Sequence, residues 1–319
     1  MADSRVFPTM FEMCVAVGGA AATSSLALYY LRRVRLERPA IGTFNRRDVG
    51  ILFSFIVTLP VFYQLLPRWA LTFFLVVTFS ASLSIGYRPL LSPSRLWLAI
   101  GLLIGTNIWL ARTMLGTVIG WQLSWAETDL IVLLGAVAVA NLYVQGGMKL
   151  THVAWFALVL AVYDAAFTLL VPLTNKLAEA FLGYPLDPSI GMRLGLYNAS
   201  IGLGDLLVYS LFLATAFKAY GRTAARVAFS LIVVFGAIAP ALAPLVVNDF
   251  LDARTDLVVP AQTLFGPAAF LGYLWMRRHY GTERTMQQFL ASSDIEQPAP
   301  AAADRPVPVA QPATEPASA

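Results

Sequence analysis

Between Met10 and Met276 the chain is a succession of apolar stretches. Each is about 20 residues long, the length of helix needed to cross a bilayer. Measured against that length the sequence divides into roughly nine segments, at approximately 10–31, 49–66, 69–87, 96–117, 128–147, 152–173, 195–218, 224–247 and 257–276. Only 13% of residues are charged and 58% are apolar, with a mean hydropathy of +0.69. A soluble globular domain carries about 25% charged residues, so soluble folding is excluded in favour of an all-α membrane protein.

The basic residues punctuate these segments and do not form one continuous surface, so the net charge of +4 is a topology signal and not a nucleic-acid footprint. Taken on alternate sides of the membrane, 16 of the 22 Lys and Arg fall on one side, including Arg32, Arg33, Arg35, Lys149, Lys218, Arg277 and Arg278. The other side holds Arg5, Arg68, Arg112, Lys176, Arg193 and Arg254. Basic loops are retained in the cytoplasm, which predicts an N-terminus outside and a cytoplasmic C-terminus. A cleaved signal peptide is the competing reading of the first segment. That segment is longer than an h-region, and Arg32-Arg33-Val34-Arg35 follows it as a stop-transfer cluster. One cysteine, Cys14, and two histidines, His152 and His279, give no disulfide framework and no His/Cys zinc site. No metal and no cofactor is expected.

Three regions follow from this division: residues 1–148 with five spans, 149–286 with four, and 287–319 as a cytoplasmic tail. In the tail, Gln297-Pro298-Ala299-Pro300 and Arg305-Pro306-Val307-Pro308 sit among Ala and small polar residues that offer no apolar face to bury. Such a composition predicts disorder.

Two aspartates interrupt the apolar spans, Asp164 in Tyr163-Asp164 and Asp205 at the end of Gly202-Leu203-Gly204-Asp205. An aspartate at the centre of a membrane helix costs roughly 2.5 to 3.5 kcal/mol on insertion scales, which marks it as a functional group by default. On the seventh segment Asn198, Gly202, Asp205 and Tyr209 fall on one helical stripe, and on the sixth Ala157, Ala161, Asp164 and Thr168 form another of small and polar side chains. The spacing predicts that the two stripes face each other, with both carboxylates at a common depth and Asp205 about ten residues into its span. Facing carboxylates in low dielectric share a proton: the anionic member takes a proton from water, and the protonated member supports the oxyanion and later supplies a proton to the leaving amine. Gly202 and Gly204 allow close approach by another backbone.

Tyr-Asp in one span, Gly-Leu-Gly-Asp in the next and nine spans in all resemble the presenilin and signal peptide peptidase family of intramembrane aspartyl proteases. The resemblance covers about Thr151 to Met276. It implies a presenilin-like fold with Asp164 and Asp205 as the catalytic pair, and Tyr163, Gly202, Leu203 and Gly204 beside them as substrate-binding positions. The family's third signature, Pro-Ala-Leu, opens its ninth span. Here a literal match stands at Pro240-Ala241-Leu242, inside the eighth segment, while the ninth opens with Pro260-Ala261-Gln262. Topology favours Pro260, Ala261 and Gln262 as the substrate-docking equivalent. A proline-interrupted helix start leaves free backbone groups near the aspartates, and the plain reading of Pro240 is a helix kink.

The charge bias matches the signal peptide peptidase topology within that family, as does the short connection from about Thr174 to Arg193. By resemblance, substrates are transmembrane peptides or single-span proteins with a cytoplasmic N-terminus, such as signal peptide remnants or type II anchors. The low charge and abundant alanine are in keeping with a bacterial cell membrane. The rival from another class is a proton- or ion-coupled transporter that uses the same two aspartates for its coupling ion.

Overall fold

The computed structural model describes residues 3–36, 46–170, 183–186, 191–193, 200–243 and 260–294. The chain is an all-α membrane protein, with one small pair of strands among the described residues. Its helices are α1 (Asp3–Arg33), α2 (Arg46–Leu65), α3 (Arg68–Tyr87), α4 (Pro93–Thr113), α5 (Val118–Gln145), α6 (Leu150–Leu170), α7 (Leu203–Tyr220), α8 (Arg222–Leu231), α9 (Ala261–Tyr280) and α10 (Met286–Leu290). A π-helical turn, Ile232–Ile238, continues α8. Strands β1 (Gly191–Arg193) and β2 (Ser200–Gly202) pair antiparallel just before α7. Among the described residues six helices are long and apolar enough to cross a membrane, and the apolar part of α6, Leu150–Ala166, is shorter.

Helix α7 is the axis of the molecule. From Val208 to Ala219 every residue is buried, and α1, α5, α6, α8 and α9 all pack on it. The helices draw close where small residues meet. A Cβ on Gly266 of α9 would stand 2.4 Å from the Ala157 carbonyl oxygen and 2.6 Å from the Ala161 Cβ, so α9 lies directly against α6. Gly86 of α3 does the same against Ala138 of α5, at 2.4 Å. Close backbone approach through small residues is how helices associate in a bilayer, where burial against lipid offers no hydrophobic gain.

Three boundaries differ from the sequence expectation. Helix α5 starts at Val118, ten residues before the expected 128, because the Thr117 side chain accepts the Gly120 N–H at 3.0 Å and caps it. Helix α7 starts at Leu203, not near 195, since Ser200–Gly202 is drawn into the hairpin. The start of the expected tail holds a helix: Thr285 and Gln288 form a reciprocal capping box around α10, and Phe289 is 0% exposed. The remaining tail, 295–319, lies outside the described residues.

The helix ends opposite the hairpin are tied together by charged side chains. Glu283 accepts the Leu150 and Thr151 N–H groups at 2.9 and 3.0 Å, and so caps the start of α6. Lys218, 1% exposed, donates to the Met148 carbonyl just past the end of α5. Arg284 donates to the Phe217 and Ala219 carbonyls at 3.0 and 3.2 Å and pairs with Asp294 at 2.9 Å. Phe289 packs edge-on against Phe217 under this clasp, with ring centroids 5.8 Å apart. Phe289→Ala empties that space and is expected to cost about 3 kcal/mol, read as a lower thermal midpoint of the detergent-solubilised protein. An unchanged midpoint refutes a structural role for residues 281–294.

Candidate active site

Asp164 sits in the second half of α6, and Asp205 is the third residue of α7. The position of Asp205 follows from its local sequence. A carboxylate in the first turn of a helix accepts free backbone N–H groups and faces the positive end of the helix dipole. Here the Gly202 N–H donates to Asp205 Oδ2 at 3.2 Å. Gly-Leu-Gly-Asp is therefore a helix start, with the carboxylate held against it. The expected depth of ten residues into the span is corrected to the first turn, and the expected stripe is broken: Gly202 lies in a strand, and Asn198 is outside the described residues.

The two carboxylates lie within electrostatic reach of each other, and both are half-buried. The facing stripes expected for them are not formed, because Ala157 and Ala161 of α6 receive Gly266 of α9 instead. A Cβ at Gly204 would have open space around it, and this residue is exposed. Next to Asp205 the site is therefore approachable by a backbone. Leu203 is half-buried beside it. Tyr163 turns toward α2, its ring edge-on to Phe53 at 6.4 Å.

The first turn of α9 closes the site from another direction. Pro260 occupies the helix N-cap with extended backbone (φ −63°, ψ 135°), Ala261 follows half-buried, and Gln262 is fully buried. The Gln262 side chain lies beside Asp205 closely enough to interact with its carboxylate. Of the two proline motifs, the one at 260 places a side chain beside Asp205.

Pro240 has a different physical job. Lacking an N–H, it cannot close a helical bond to the carbonyl four residues back, which is that of Gly236. That carbonyl accepts the Tyr209 hydroxyl at 2.8 Å. Tyr209 lies one turn from Asp205, is fully buried, interacts electrostatically with both aspartates and stands edge-on to Phe265 at 4.7 Å. Gly236 leaves room for the ring, because a Cβ there would be 2.8 Å from Tyr209 Cζ. The π-helical turn falls at this contact, and such turns recur at functional sites. Sequence reasoning placed Tyr209 on the aspartate stripe and missed its link to Pro240. The available signal was the spacing of four between Gly236 and the proline.

Among the described residues no three His, Cys, Asp or Glu side chains converge into a metal-binding group. No protein-family model matches this chain, and no curated protein matches it.

Tyr209→Phe removes the donor from the Gly236 carbonyl and is expected to lower stability by about 1–3 kcal/mol. Pro240→Ala restores an N–H at 240 that can take up the same carbonyl. In a double-mutant cycle the second change is expected to recover most of the loss caused by the first, measured by thermal unfolding in one detergent. Additive losses refute the coupling.

Proposed function

We propose that the chain is an intramembrane aspartic endopeptidase of the presenilin and signal peptide peptidase type, hydrolysing peptide bonds within transmembrane segments. The observation that carries this reading is that Asp164 and Asp205 lie within electrostatic reach of each other. Two costly carboxylates from consecutive apolar helices act on each other beside an exposed glycine and a proline-opened helix start.

The chemistry uses the chain's own groups. One carboxylate is anionic and the other holds a proton, the state that two like charges in one low-dielectric site adopt. The anionic member takes a proton from water as the water oxygen bonds to the scissile carbonyl carbon, giving a tetrahedral intermediate. The protonated member donates to the developing oxyanion. Collapse of that intermediate breaks the C–N bond, with a proton passing to the leaving nitrogen, and yields a carboxylic acid and an amine. A helical amide is shielded by its own turn, so the substrate must unwind at the cut. Substrates on this reading are single-span segments with a cytoplasmic N-terminus, such as signal peptide remnants or type II anchors.

The full proposal has nine crossings of a bacterial cell membrane, with the N-terminus outside. It is supported by the bias of Lys and Arg toward one side. Reporters that are active only in the cytoplasm are expected to function when fused after Ala319 and to be silent when fused ahead of Met1. The reverse pattern overturns the orientation.

Asp164→Asn and Asp205→Asn are each expected to lower cleavage of a helical reporter by about a thousandfold or more, since each removes an acid–base partner, with folding retained. An aspartate-directed transition-state mimic should block the unmodified protein. If the purified protein cleaves no reporter while proton or ion flux into liposomes depends on the same two residues, the carboxylates serve transport and the protease reading fails.

A further inference from the structure

We propose that Gln262 is a main-chain clamp: its side-chain amide pairs with the N–H and C=O of one residue in the unwound segment lying at the aspartates. This rests on the protease reading and adds to it the group that holds the substrate's backbone. Gln262 is 0% exposed; its side-chain amide stands beside the Asp205 carboxylate without reaching it at good hydrogen-bond geometry, and its Oε1 has no donor among the described residues. A buried amide group left unpaired costs about 1–3 kcal/mol, a loss that an apolar side chain of the same size avoids.

The surroundings show what the amide is aimed at. Helix α9 runs antiparallel to α6, with Gly266 seated between Ala157 and Ala161. Gln262, one turn before Gly266, is thereby brought to the level of Asp164, three residues beyond Ala161. It also lies beside the Asp205 carboxylate. A hydrogen bond to an ionised carboxylate engages only Nε2 and leaves Oε1 bare, because a carboxylate offers no donor. The partner that satisfies both ends of a side-chain amide is the backbone of one extended residue, whose N–H and C=O point to the same side of the strand. In a helical substrate both are already used within the helix. The clamp therefore selects a segment that has unwound, in register with the carboxylates.

The test uses the full-length protein in bicelles and a synthetic helical reporter whose cut site is fixed by mass spectrometry. Backbone N–H groups around the cut are replaced by ester oxygens one at a time. One ester is expected to lower kcat/KM about tenfold, mainly through KM, because the pairing exists before the transition state as well as in it. Gln262→Leu and Gln262→Met are expected to lose about tenfold on the all-amide reporter and to be insensitive to that ester, as coupled partners are. Their thermal midpoints should equal or exceed that of the unmodified protein, since the unpaired amide is gone.

Three results overturn the clamp and leave the protease reading standing: wild-type rates in both variants, an undiminished ester penalty in them, or a lowered thermal midpoint, which would mark the amide as structural. Failure of the unmodified protein to cut any reporter overturns the protease reading, and the clamp with it.

Discussion

Inside a bilayer no water is available for backbone groups, so every interruption of a helix has to be matched by protein. Three interruptions among the described residues lie around two carboxylates. Gly202 is the N-cap of α7, and its N–H is met by Asp205. The helix carrying Pro240 passes through a π-helical turn where the Gly236 carbonyl is met by Tyr209. Helix α9 begins at Pro260, which has no N–H to satisfy, and Gln262 is buried in its first turn. In two of the three cases the group that repairs the backbone is Asp205 or a residue one turn away from it. Positioning of the aspartate and satisfaction of the backbone are thus one problem with one solution. A side chain committed in this way has little freedom to wander, which is what precise acid–base chemistry requires.

The opposite end of the molecule is built differently. Lys218, Glu283 and Arg284 meet the backbone at the ends of α5, α6 and α7, and Phe289 closes the space beneath them. Charged side chains there cap helix termini in the favourable sense, the cations on carbonyls and the anion on N–H groups. The helices that bring the carboxylates together are therefore fixed at one end by charge-assisted bonds. Their other end carries a pair of three-residue strands and open space at Gly204. On the proposed protease reading, a base fixed in this way with an approachable site at the far end suits a substrate that enters as a chain and is straightened before it reacts.

Much of this frame was legible because the signals were long. An apolar run of about 20 residues specifies a helix whatever its details, and an aspartate within such a run stands out by its cost. The boundaries were not legible where apolarity and helicity part company. The sequence from Gly195 to Gly204 reads as the start of a span, yet Gly202 and Asp205 are better suited to ending a strand and opening a helix, and the chain follows them. The stripe of Ala157 and Ala161 was visible, but its partner was not: small residues announce a close neighbour without naming it, and Gly266 took the place expected for α7. The order of residues 288–294 was hidden for the opposite reason. A single capping box and one phenylalanine are too short a signal to outweigh a Pro- and Ala-rich surrounding.

The two proline motifs show why a string of letters does not fix a function. Pro240-Ala241-Leu242 is the literal match, and its Leu242 is exposed on the far side of the π-helical turn. What Pro240 contributes is an absence, the missing N–H that leaves the Gly236 carbonyl to Tyr209. Pro260-Ala261-Gln262 is the imperfect match, yet it opens a helix beside Asp205 and buries an amide there. The residue that departs from the pattern is the one that brings hydrogen-bonding capacity to the site, since leucine at 262 would bring only volume. In a protein whose interior is nearly all hydrocarbon, the chemistry is carried by the few groups that can donate or accept, and each is read from what it faces.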